Sequence, residues 1–218
     1  ILDTRKEPSS DIITEAKNLG IEIKFSYVVV AAKGYKKVKS ADIAKISDNK
    51  KELSNIENIE CDCICVSGFW TPSIHLASQS GNKSEFNEKI DAFIPKKSKQ
   101  KENTIGSANG KFTLEETINE AFDKGYEVSN KITENNNKVS IPTVVEKKSS
   151  EHDKFWCVPL PKGKSYKRFL DFQNDVAVTD IELALREGFR SIEHVKRYTT
   201  LGMATDQGKT SNLNGLQL

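Results

Sequence analysis

The densest run of chemically capable side chains is Cys61-Asp62-Cys63-Ile64-Cys65. On an extended strand, thiols two residues apart point to the same face. The strand rise sets neighbours about 7 Å apart, too far to share a metal that needs four converging ligands. Residues 61–67 are therefore expected to form a buried strand in which small cysteine side chains pack and no metal is held. Cys157, near Trp156 and Pro159, is expected to pack in the same way. His75, His152 and His194 fall in no Ser–His–Asp or Cys–His order. His194, beside Lys196 and Arg197, reads as a surface or interface residue, and no catalytic residue is assigned.

A second pattern is Asn103-Thr104-Ile105-Gly106-Ser107-Ala108-Asn109-Gly110, expected to be a short strand ending in small residues, with a helix beginning shortly afterwards. Free backbone N–H groups at a helix start, beside a backbone that allows close approach, suit a pyrophosphate. Asp3, at the end of a strand, has two readings: a ribose ligand of a dinucleotide fold, or a residue that caps its own turn.

The elements that would carry these residues follow from periodicity and punctuation. Residues 1–3 read as a strand. A helix capped by Ser9 or Ser10 should place Ile12, Ile13, Ala16 and Leu19 at helical spacing and stop at Gly20. Strands follow at 21–25 and 27–32, with a weaker one at 38–46. Strand, helix, strand is half of a nucleotide-binding unit. A further strand is expected at 87–95, and a helix at 112–122 that Gly125 closes. Residues 134–153 are aperiodic and rich in Asn, Lys, Glu and Ser, as a linker would be. The last module should hold helices at 180–188 and 191–199, then a glycine-punctuated loop at 202–211. These give an α/β chain with divisions at 1–133, 134–166 and 167–218. The last piece is too small to be stable without a partner surface or metal.

Bulk properties narrow the classes. With 33 basic and 31 acidic residues the net charge is +2, and Lys is interleaved with Glu and Asp. That leaves no concentrated basic face for nucleic acid, and no apolar run is long enough for a bilayer. Four cysteines without a secretory leader fit a reducing cytoplasm. Residue 1 is Ile and Met203 is the single methionine, so the sequence reads as a cut from a longer polypeptide.

Three segments resemble one family. Ser67-Gly68-Phe69-Trp70-Thr71-Pro72-Ser73-Ile74-His75-Leu76 is similar to a turn of heterotetrameric sarcosine oxidase alpha subunits, with Phe69 replacing the usual second glycine. Residues 105–110 with their helix resemble the last nucleotide-contacting motif of flavoproteins with two dinucleotide-binding domains. Residues 171–176 and 193–212 are close to the same alpha subunit. The last module also resembles a bacterioferritin-associated-ferredoxin-like domain. At its four cluster-binding cysteine positions stand Asp171, Gln173, Asp206 and Ser211, and oxygen ligands are poor substitutes for thiolate. A cluster-free module is thus expected.

The resemblance implies a fold and a set of cofactors. The fold would be an FAD/NAD(P)-binding Rossmann-like core with a small C-terminal helical module. The complex would demethylate sarcosine oxidatively to glycine, pass the one-carbon unit to tetrahydrofolate and form hydrogen peroxide. It would carry FAD, FMN, NAD and zinc over alpha, beta, gamma and delta subunits, with amine oxidation in beta. Within this chain Gly106, Ser107, Phe112 and Leu114 would line NAD. Arg197, Thr205 and Lys209 would meet FMN phosphate at the beta interface. A related amine, proline or opine dehydrogenase subunit, or a non-catalytic scaffold, remain the alternatives.

Overall fold

The computed structural model describes residues 1–8, 10–68, 70–133, 140–141, 143–144 and 154–218. Most of the expected linker, together with Ser9, Phe69 and His152, lies outside these residues. Contacts divide the chain into two compact units, residues 1–65 with 153–218, and residues 66–152.

The first unit opens with β1 (Leu2–Asp3), α1 (Asp11–Asn18) and β2 (Lys24–Phe25). β1 and β2 pair in parallel, Leu2 opposite Lys24 and Asp3 opposite Phe25, as a strand–helix–strand crossover requires. Gly20, at φ 75°, supplies the left-handed residue that ends α1,. Ser10 sits at the N-cap, but its side chain makes no capping bond. Asp3 caps its own turn: its carboxylate accepts the Arg5 backbone N–H at 2.9 Å and the guanidinium at 2.7 and 3.0 Å. Of the two readings of this residue, the structure realises that one. Among the described residues β1–β2 is the one parallel pair.

β3 (Tyr27–Gly34), β4 (Val38–Ile46) and β5 (Leu53–Glu60) form an antiparallel sheet in that order. The strand expected to be weakest, β4, is central and most buried, contributing Ala41, Ile43, Ala44 and Ile46 to the core. β5 has no counterpart in the sequence reading, because its Leu-Ser-Asn-Ile-Glu-Asn-Ile-Glu is mostly polar and mostly exposed. The expected strand at 61–67 is absent: regular pairing ends at Glu60, and Cys63 and Cys65 are exposed. The apolar composition of that run misled; it has no neighbouring strand to pair with and no face to bury.

The C-terminal part of this unit contains β8 (Phe169–Asp171), β9 (Val176–Ala177), α4 (Val178–Arg186), α5 (Ile192–Thr199) and α6 (Asn212–Leu216). Leu170, Val176, Val178, Ile181, Ala184, Val195 and Leu201 form its core, with Cys157 and Phe189 packed against it. Cys157 therefore packs as expected, and Arg168 Nη1 donates to its sulfur at 3.0 Å. The Asp180 carboxylate accepts the Ala177 N–H at 2.8 Å and fixes the start of α4,.

The second unit holds α2 (His75–Gln79), the hairpin β6 (Ser84–Asn87) and β7 (Ala92–Pro95), a 3₁₀ turn at Gly106–Asn109 and α3 (Leu114–Thr133). The single strand expected at 87–95 is thus a hairpin whose Phe86 and Phe93 rings meet edge to face at 5.3 Å. The short strand expected over 103–110 does not form: 103–105 lie outside regular structure and Gly106–Asn109 is the 3₁₀ turn. Gly125 does not stop the helix: α3 runs through it to Thr133, since Tyr126, Val128 and Ile132 continue the apolar spacing beyond it.

The sequence reading passed over one buried carboxylate. Asp42, on β4, is 3% exposed. It accepts Lys33 Nζ at 2.7 Å and Asn58 Nδ2 at 2.8 Å, tying β3, β4 and β5 together. The Lys33 bond, then the Asn58 bond, hold its carboxyl below the ordinary value. A lowered folded pKa stabilises above the unfolded value, about 3.9, and the gain is lost as pH falls through the folded value. Lys33 is half exposed, which screens the pair,. Asp42→Asn should lower the unfolding free energy, read from denaturant titration at pH 7, by about 1 kcal/mol or less. The gap should close below about pH 4; a gap that stays constant across that range would refute this role.

Candidate functional site

The four positions that the resemblance sets against cluster ligands lie in two loops of the C-terminal part, and the side-chain oxygens of three of them, Asp171, Gln173 and Asp206, accept backbone N–H groups. Asp171 is 4% exposed. Its Oδ1 accepts the N–H of Gln173 at 2.9 Å and of Asn174 at 3.1 Å, and its Oδ2 accepts the N–H of Gly202 at 3.2 Å. One carboxylate thereby closes its own turn and pins the loop that follows α5. Gln173 Oε1 repeats the pattern across the same gap, accepting the Thr205 N–H at 3.1 Å and the Thr205 hydroxyl at 2.5 Å. Asp206 accepts the Gly208 N–H at 3.1 Å, and the N–H and hydroxyl of Thr210 at 3.1 and 2.6 Å. The Thr210 hydroxyl, then the backbone donors, hold the Asp206 carboxyl below its ordinary value.

The fourth position, Ser211, is buried, and its Oγ has no hydrogen-bond partner among the described residues. Gly202 and Gly208 have φ of 69° and 76°. A Cβ on either would meet the Asn212 side chain at 1.9 or 2.1 Å. Conformation and close approach both require glycine here. These positions carry no thiol, and the oxygen acceptors of Asp171, Gln173 and Asp206 are spent on loop closure. An iron–sulfur cluster does not fit them.

Of the expected FMN contacts, Arg197 and Lys209 are exposed, and no ion pair within the described residues engages them. The hydroxyl proton and the N–H of Thr205 are both committed to Gln173, so a phosphate would have to displace that amide. No described contact joins the three residues. Phe172, 79% exposed, and Met203, 58% exposed, are apolar side chains on the same two loops.

The Gly106 turn is also already occupied. Gly106 is buried at φ 65°. Its N–H donates to Glu120 Oε2 at 2.7 Å, and Asn109 Nδ2 donates to Oε1 of the same carboxylate at 2.7 Å. Thr113 caps α3, its Oγ1 accepting the Glu116 N–H at 3.2 Å,. The backbone donor expected to be free therefore faces an anion, and a pyrophosphate would have to displace Glu120. Ser107 and Leu114 are exposed and Phe112 is half buried. Glu120 carried no sequence signal, because a helical Glu fourteen residues away looks like any solvated charge.

The cysteine geometry also differs from expectation. Cys63 and Cys65 Sγ are 3.9 Å apart, because the segment bends where a strand would have held them apart. The Cys65 thiol, as hydrogen-bond partner, raises the Cys63 pKa above its ordinary value. No group of three or more His, Cys, Asp or Glu side chains among the described residues could hold a metal. His75 is exposed, with Ser73 Oγ 3.3 Å from Nδ1, and His194 is exposed on α5.

Residues 165–218 match the model of the sarcosine oxidase A3 domain. Over 167 residues the chain is 35% identical to sarcosine oxidase subunit alpha of Rhizobium meliloti (strain 1021), covering 74% of this chain and 16% of that protein. It is 31% identical over 186 residues to the subunit alpha of Corynebacterium sp. (strain U-96), covering 80% and 18%. The matched part of the chain spans only about a sixth of the length of these relatives. A crystal structure of L-proline dehydrogenase from P. horikoshii aligns with a TM-score of 0.47 and 20% identity, over 94% of this chain and 40% of that one, a likeness too loose to fix a fold.

The oxygen network makes a direct prediction. Anaerobic reconstitution with iron and sulfide should leave the protein without charge-transfer absorbance in the visible range. A visible band that disappears when Cys61, Cys63 and Cys65 are replaced would contradict this and make those thiols the ligands.

Proposed function

We propose that this chain, which belongs to the sarcosine oxidase alpha-subunit family, serves a heterotetrameric enzyme that oxidatively demethylates sarcosine. Its own part is to bind nucleotide and to dock flavin and the beta subunit. The observation that carries the reading is the closed oxygen network at Asp171, Gln173 and Asp206 within the A3 region. It leaves a folded surface without a redox centre of its own, suited to contact rather than to electron storage. The parallel β1–α1–β2 unit supports placing the first part in a dinucleotide-binding core of Rossmann-like type. No helix among the described residues is long and apolar enough to cross a membrane, and the reading needs none.

Bound FMN would carry electrons; this chain would only hold and orient it. Lys209 and Arg197 would pair with its phosphate, and Thr205 would hold the loop through Gln173. Phe172 and Met203 form an apolar rim of the kind that marks an interaction surface. NAD would lie against Gly106, Ser107, Phe112 and Leu114. The sugar or ring would lie along the exposed Ser107 and Leu114, with Glu120 placed to accept a hydroxyl rather than to meet a phosphate. FAD, zinc and the tetrahydrofolate site belong to the rest of the complex, as do the gamma and delta subunits. A cytoplasmic setting follows from the same reading.

The test uses the complete complex. Sarcosine should drive oxygen uptake with hydrogen peroxide formation, while proline and opines should not; uptake with proline alone would overturn the assignment. Lys209→Ala and Arg197→Ala should each weaken FMN retention by about tenfold to a hundredfold, the worth of a charge-assisted contact. If FMN is covalently tethered, the same loss should appear as weaker alpha–beta association. Unchanged flavin content, subunit affinity and turnover would remove the phosphate site. Gly106→Val, strained at positive φ and tight against Thr117, should lower bound NAD, and undiminished NAD would remove that site.

A further inference from the structure

We propose that Cys63 and Cys65 form a dithiol that hydrogen peroxide closes to an intrachain disulfide. β5 ends at Glu60, and Cys61 remains tied to the sheet because its N–H donates to Lys39 O at 3.1 Å. Past that bond the backbone leaves regular structure. In an extended strand, residues two apart would sit about 7 Å from each other, at the edge of what a disulfide spans. The bend after Cys61 removes that obstacle and brings the two sulfurs to 3.9 Å. Closing to the bonded length of about 2.05 Å takes a rotamer change and a small backbone shift. Both thiols are exposed, so oxidant can reach them, whereas Cys61 is half buried and Cys157 is packed against a core.

The chemistry balances with one peroxide. A thiolate of the pair attacks a peroxide oxygen and the O–O bond breaks. The sulfur becomes a sulfenic acid, and the departing hydroxide takes a proton to become water. The neighbouring thiolate then attacks the sulfenyl sulfur. The S–O bond breaks, and a second hydroxide leaves and is protonated. Two thiols and one hydrogen peroxide yield one disulfide and two waters. A single cysteine at this place would have no resolving partner and would proceed to sulfinic acid.

Because peroxide is added rather than generated, the test does not depend on the sarcosine reading. The purified full-length protein is treated with a small excess of hydrogen peroxide, alkylated and digested. The peptide bearing residues 61–65 should lose the mass of two hydrogens, with Cys63 and Cys65 protected from alkylation and released by dithiothreitol. Cys61→Ser should retain the link. Cys65→Ser should abolish it and leave Cys63 trapped by dimedone as sulfenic acid or advanced to sulfinic acid. Full alkylation of both thiols after peroxide would overturn the proposal. So would a link between Cys61 and Cys63, or a link that survives Cys65→Ser.

Discussion

A buried carboxylate holds together the part of this chain that matches the A3 domain. Asp171 lies at the end of β8 and accepts three backbone N–H groups, two from its own turn and one from Gly202, thirty-one residues later. The Gly202 N–H, on a buried residue, would otherwise be desolvated without a partner, at a cost of roughly 1–3 kcal/mol,. Gln173 and Asp206 act likewise on Thr205, Gly208 and Thr210. The loop after α5 is thus defined by side-chain acceptors rather than by regular structure. Around it, Gly202 and Gly208 leave room for Asn212, and Leu201 fills the core.

This arrangement accounts for how a small module can dispense with a cluster. A metal–thiolate centre would draw the same two loops together by coordination. Here oxygen acceptors do so by hydrogen bonding, and the apolar core formed with α4 and α5 supplies the rest. A surface so stabilised is free to present Lys209, Arg197, Phe172 and Met203 outward.

What could be read from the sequence was mainly local. α1, α4 and α5 were legible because their apolar spacing and stop glycines act within one or two turns. β5 was not, because a strand that pairs with β4 through its backbone needs no apolar alternation when its faces are exposed. Residues 61–67 showed the reverse error: apolar letters with nothing to bury them. At the candidate sites, the four oxygen residues stood out through their mismatch with thiolates. Their partners did not, since the Asp171–Gly202 and Gly106–Glu120 bonds join residues that share no periodic relation. The closeness of Cys63 and Cys65 depends on a bend that no residue type in the run announces.

The account turns on Asp171 as the tie between the two loops, and amide hydrogen exchange reads that tie directly. In the wild-type protein the amides of Gln173, Asn174 and Gly202 should be protected although their loops lack regular structure. Asp171→Ala should speed all three together by roughly tenfold or more, the loss of a charge-assisted bond, while the amides of α1 stay unchanged. Exchange at Gly202 that is already fast in the wild type, or that does not respond to Asp171→Ala, would contradict the account.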